Sequence, residues 1–283
     1  MNTPASRAST QIPDNSAADG LRLELAALIE KIDELKLRVG PFLTAHYQAV
    51  LGHLELKLLT LQLAVQSARY RAESLQARIN RGETLDLAGL IDIDQAIELR
   101  LAEWRQQLCV QEKTLLEAQN LLANVTFTDA DEAKRVKTAY RLLARCLHPD
   151  ASPENKDLFE KYWPNVQDAY ERIDAVLIEA LLHLVEHAVN ARTGGAALAE
   201  PAVEVDRLRA LVLGHAERLA HITSQTPHCY ADLLTDEVWV AARQSELDAS
   251  ITEESGRLAQ LVIRHAEQLA QLGIDQAPSM GDI

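Results

Sequence analysis

The stretch from Asp131 to Asp150 reads DEAKRVKTAYRLLARCLHPD, and the organisation of the chain turns on it. At helical pitch Val136, Ala139, Tyr140, Leu143 and Leu147 fall on one stripe, while Lys134, Lys137, Arg141 and Arg145 fall on the opposite one. One face is built to pack and the other to meet a partner. No acid interrupts the basic stripe, although the 283-residue chain carries a formal charge of −14. Pro149 has no N–H to donate and drives His148 out of helical geometry, so the helix ends there. Asp150 opens the turn into the next helix.

The flanking sequence supplies that next helix. Ser152 suits an N-cap, Pro153 the first helical position and Glu154 the first turn. Leu158, Phe159, Tyr162, Val166, Ala169, Tyr170, Ile173 and Leu177 can pack on the apolar stripe, with a kink or break expected at Pro164 and helix running on through Leu181, Leu184, Val185 and Ala188. Tyr140-Arg141-Leu142-Leu143-Ala144, His148-Pro149-Asp150 and Ala169-Tyr170-Glu171 together resemble the J-domain of DnaJ-type co-chaperones. The resemblance covers roughly residues 128–174. It implies that His148, Pro149 and Asp150 form a contact loop, that Lys134, Lys137, Arg141 and Arg145 form a docking stripe, and that the partner is a DnaK-type ATPase whose hydrolysis they stimulate. A cationic stripe steering toward an acidic surface suits that role. The simpler reading makes His148 a helix-end histidine, Pro149 a stop and Asp150 a turn former. The family's Tyr-x-x-Leu-Gly first helix, its Gln-Lys-Arg signature and a Gly/Phe-rich or cysteine-rich segment are missing. The long helix before the module is expected to stand in for the first of these.

Upstream, residues 1–20 are Ser, Thr, Ala, Asn and Pro-rich and read as a disordered lead-in. A helix is expected over 21–39, a clean break at Gly40-Pro41, a long helix of ~60 Å to Asn80, and a stop at Asn80-Arg81-Gly82-Glu83. A third helix over about 92–125 returns, giving an antiparallel, coiled-coil-like hairpin arm over 21–125. Leu51-Gly52-x-Leu54-Glu55-Leu56 and Ile79-Asn80-Arg81-Gly82-Glu83 also resemble an uncharacterised bacterial family with such an arm before a J-like module.

Downstream of the module, assigned to 126–192, Thr193-Gly194-Gly195 begins a linker over 193–203. Residues 204–274 hold a two-copy repeat at an offset of fifty: Arg207-Leu208, His215-Ala216-Glu217 and Leu219-Ala220 recur as Arg257-Leu258, His265-Ala266-Glu267 and Leu269-Ala270. Two similar helices are expected, with another around 236–249 between them and a tail at 275–283. His215 and His265 read as packed or interfacial histidines, or as a ligand site shared by the two copies.

Composition bounds the rest. Low aromatic content (4%), few Gly and Pro, and abundant Leu, Ala, Glu and Gln predict an all-α protein. Net acidity opposes nucleic-acid binding. Cys109, Cys146 and Cys229 form no disulfide frame, and no apolar run reaches membrane-spanning length, so a cytoplasmic protein is expected. His183-Leu184-Val185-Glu186-His187 has the spacing of a zinc peptidase helix, but it faces away from the apolar stripe and lacks a third ligand. No phosphate-cradling or nucleophile motif is present. No catalytic residue, metal or cofactor is assigned; the expectation is a co-chaperone or adaptor, with a degenerate J-fold serving as scaffold or homodimer, through the arm or the repeat, as the alternative.

Overall fold

In a computed structural model of the chain, residues 15–124, 129–192 and 201–274 are described. Among them every regular element is helical, so the fold is all-α. Residues 1–14 of the expected lead-in (1–20), residues 193–200 of the expected linker (193–203) and the expected tail (275–283) lie outside the described residues, while 201–203 begin a helix instead of closing the linker. The chain divides into two units, each assembled from two stretches distant in sequence: Met1–Pro41 with Thr126–Cys229, and Phe42–Val125 with Tyr230–Ile283. The arm, module and repeat expected as successive domains are therefore not the compact units.

The first unit contains α1 (Asn15–Glu34), α6 (Ala130–Leu147), α7 (Lys156–Glu171), α8 (Ala175–Asn190) and α9 (Pro201–Ser224). The expected apolar stripe of α6 is its core: Val136, Tyr140, Leu143, Ala144 and Leu147 are completely buried. They meet Trp163, Val166, Ala169 and Tyr170 of α7, Ile178 and Val185 of α8, Leu25 and Ile29 of α1, and Leu208 of α9. Because α1 lies between α6 and α9, its buried face turns to include Ala26, Ile29 and Glu30 beside Leu25 and Ile32. Asn15–Gly20 is the start of this helix rather than part of the lead-in.

Three boundaries depart from expectation, each for a local reason. Gly40-Pro41 does not break the helix: a π-turn over Leu35–Val39 comes first, and the Gly40 N–H reaches the Leu35 carbonyl. Pro41 falls inside α2 (Gly40–Tyr47), directly after the π-turn, and a Cβ at Gly40 would come within 2.9 Å of that carbonyl. Pro164 is likewise accommodated inside α7. The stop instead falls after Glu171, where Ile173 takes the left-handed conformation (φ 57°), a position where glycine is usual. The Asp174 N–H bonds the Ala169 carbonyl at 2.9 Å, and the Asp174 carboxylate then caps α8 through the Leu177 N–H.

The second unit is built on α3 (His53–Arg81), preceded by a π-turn over Gln48–Gly52. Gly82 closes α3 in the left-handed conformation (φ 66°), as expected. The return stroke is two helices, α4 (Leu87–Arg100) and α5 (Ala102–Ala123), separated at Leu101. It is antiparallel to α3: Arg71 bonds Asp94 at 2.8 Å, and Gln111 bonds Gln48 at 3.1 Å. The more extensive partner of α3 is α10 (Glu237–Gln271), which absorbs both the expected helix at 236–249 and the second repeat copy. Gln244 donates to the Val50 carbonyl and Gln268 to the Ala72 carbonyl, so α10 runs parallel to α3. In the first unit α9 runs parallel to α1 in the same way, with Arg22 on Glu204 near their starts and the His228 ring against Gly40. The repeat thus marks two helices that each lie alongside an N-terminal helix.

Candidate functional site

The turn after α6 is held by the backbone and by three side chains. His148 is extended (ψ 130°) and its N–H still bonds the Ala144 carbonyl. The Ala151 and Ser152 N–H groups return to the His148 carbonyl at 2.9 and 2.8 Å. Ser152 Oγ caps the Arg145 carbonyl and Asn155 Nδ2 the Cys146 carbonyl, while the Asp150 N–H donates to His148 Nδ1 at 3.3 Å. Ser152 thus caps the helix behind it rather than the one ahead, and Pro153–Asn155 forms a separate 3-10 turn.

The ring of His148 lies edge-on to Phe159 and Trp163, with centroids 5.5 and 5.7 Å away, and to His215 of α9 at 6.2 Å. His215 Nε2 is 2.9 Å from an Asp150 carboxylate oxygen, Arg207 donates to the Asp150 carbonyl at 2.9 Å, and Arg22 of α1 to the Ala151 carbonyl at 3.3 Å. The His148 side chain is 18% exposed and that of Asp150 37%. Two of the three contact-loop residues are thus engaged by the chain's own α9.

The basic stripe divides in a similar way. Glu30, 1% exposed, accepts two hydrogen bonds from Arg141 and one from the Tyr170 hydroxyl at 2.5 Å. Glu34 accepts from Lys137, and Asp33 accepts from the Tyr140 hydroxyl at 2.6 Å. Burial opposes ionisation of Glu34, but the Lys137 ammonium, with Lys31 and Arg38, holds its carboxyl below the usual range. Among the described residues Lys134 and Arg145 form no ion pair. Lys134 lines a shallow groove of about 470 Å³ between α6 and α8, floored by Ala139, Leu142 and Leu182. The face laid against α6 belongs to α1, not to the helix that precedes α6 in sequence.

Nothing in the α6 stretch itself announces Glu30, Asp33 and Glu34; only their i, i+3, i+4 spacing on α1, opposite in sign to the basic stripe, could have pointed to them. Arg207 and His215 were visible as repeat residues, but their target was not. His183 is exposed and 3.8 Å from Glu186, and no group of three His, Cys, Asp or Glu side chains that could hold a metal occurs among the described residues. Neither is any helix there long and apolar enough to cross a membrane.

Burial pushes the His148 imidazole below its ordinary pKa of 6.5, and His215 and Arg218 of α9 act in the same sense; Asp150 and Asp33 of α1 oppose them. With the folded value depressed, the unfolded chain binds the extra proton first as pH falls below 6.5. Stability contributed by neutral His148 is present above that point and is lost as pH falls through the folded value. Urea midpoints of the first unit are therefore expected to fall below pH 6.5, less steeply in His148→Gln; equal slopes would refute the assignment.

Comparison of the chain with family models, with curated proteins and with solved structures finds no match.

Proposed function

We propose that this chain is a J-like adaptor that engages a DnaK-type ATPase through the turn at His148–Asp150 and the outer edge of α6. The observation that supports it best is the tip itself: a basic amphipathic helix packed on α7 and ended by a three-residue bend held by six backbone and cap hydrogen bonds. Such a tip presents a donor and an acceptor at low conformational cost to a partner. Arg145 near the tip, the exposed half of Arg141 and, toward the far end of α6, Lys134 supply positive charge along the helix.

The test is single-turnover ATP hydrolysis by a DnaK-type ATPase with the full-length chain in excess. Acceleration is expected, and its loss in His148→Gln and Asp150→Asn. Acceleration unaffected by either substitution, or none at any concentration, would reject the reading. A second reading rests on the α1 ion pairs: with Lys137 and Arg141 satisfied internally, the same fold can serve as a scaffold without an ATPase. It expects hydrolysis to be unchanged even when the tip is bared.

A further inference from the structure

We infer that the polar contacts of α9 with the tip, Arg207 and His215 on Asp150, form a releasable cover and set what fraction of the molecules can dock; the inference rests on the adaptor reading above. The two helices that meet the tip and stripe do so in physically different ways. α1 is built in: Glu30 is inside the core, bonded to the buried Tyr170, and Leu25, Ala26 and Ile29 join the packing around Tyr140. α9 meets the loop through polar groups that keep some solvent, Arg207 at 34% and His215 at 12% side-chain exposure, both directed at Asp150. Of its described apolar side chains only Leu208 is completely buried, while Val205, Leu211 and Val212 are partly so.

The charges facing the tip favour closure. α9 brings Arg207 and His215 onto Asp150 and Arg218 near His148, α1 brings Arg22 to the neighbouring carbonyl, and Glu204 holds Arg207 and Arg22 in place at 2.8 and 2.9 Å. His215 Nδ1 is buried with no hydrogen-bond partner, so this histidine is committed to Asp150 through its other nitrogen alone. A docking partner must take the place of these donors at Asp150. While α9 holds them there, the apparent affinity for the partner is reduced by the closed fraction.

The experiment uses the full-length chain and the double substitution Arg207→Ala/His215→Ala, which leaves the apolar contacts of α9 intact. Amide exchange over residues 145–152 and single-turnover ATP hydrolysis are read side by side. Each lost contact to the tip is expected to open the loop several-fold, so exchange there rises about tenfold while exchange in the α6 core at Tyr140–Leu143 is unchanged. Stimulation rises by a similar factor, and adding His148→Gln removes the gain. Unchanged loop exchange overturns the cover, as does faster exchange with stimulation no greater than that of an active wild type. If exchange rises but neither protein stimulates hydrolysis, the cover stands and the adaptor reading falls.

Discussion

Tyr140→Ala is expected to destabilise the first unit by about 4 kcal/mol, in the range for deleting a fully enclosed aromatic ring. The ring is 0% exposed, with centroids 4.1 Å from Tyr170 and 5.3 Å from Trp163, so its removal empties the joint between α6 and α7. Its hydroxyl donates to Asp33 of α1 at 2.6 Å, and burial with the nearby Asp33 carboxylate pushes the phenol pKa upward. Tyr140→Phe keeps the ring and loses one hydrogen bond, for about 1 kcal/mol. Urea unfolding followed by Trp163 fluorescence, with Trp104 and Trp239 of the second unit replaced by Phe, isolates the transition. A loss under about 1.5 kcal/mol for the alanine variant would mean that the joint collapses around the gap.

Glu30→Ala should cost about 3 kcal/mol, the lower end for breaking a buried ion pair, because Arg141 keeps half its side chain in water. The carboxylate is among the most enclosed groups in the molecule and joins three helices through Arg141 and Tyr170. Removing it leaves the Tyr170 hydroxyl buried without an acceptor. Glu34→Ala is the control. Glu34 bonds the part-exposed Lys137, and its loss should cost about 1 kcal/mol or less. Equal losses for the two variants would show that the buried pair contributes no more than the outer one.

How far the sequence carried the fold can be judged element by element. The α6 stripe, the stop at His148-Pro149, the Gly82 cap and the antiparallel return of α4 and α5 follow from periodicity and turn chemistry, which act locally, and they stand as read. Leu101 and Ile173 carry no breaker signal, since neither is Gly, Pro or Asn, and their breaks appear only with tertiary packing. Gly40-Pro41 erred the other way: the helix passes through it after a π-turn, and no propensity scale registers that. At the candidate site the basic residues and the tip were legible, but their partners were not. Glu30 lies 111 positions from Arg141 and Asp150 lies 65 from His215, distances over which a one-dimensional pattern says nothing.

The arrangement of the two units has a consequence for synthesis on the ribosome. Leu25 and Ile29 near the amino end leave the exit tunnel long before Leu208 of α9, which shares their core. The nascent chain must therefore carry an uncovered greasy face through most of translation, and neither unit can close cooperatively until its carboxyl-terminal helix has emerged. A chain truncated after residue 200 should accumulate as an aggregation-prone species, a vulnerability that a protein with its domains laid out in series would escape.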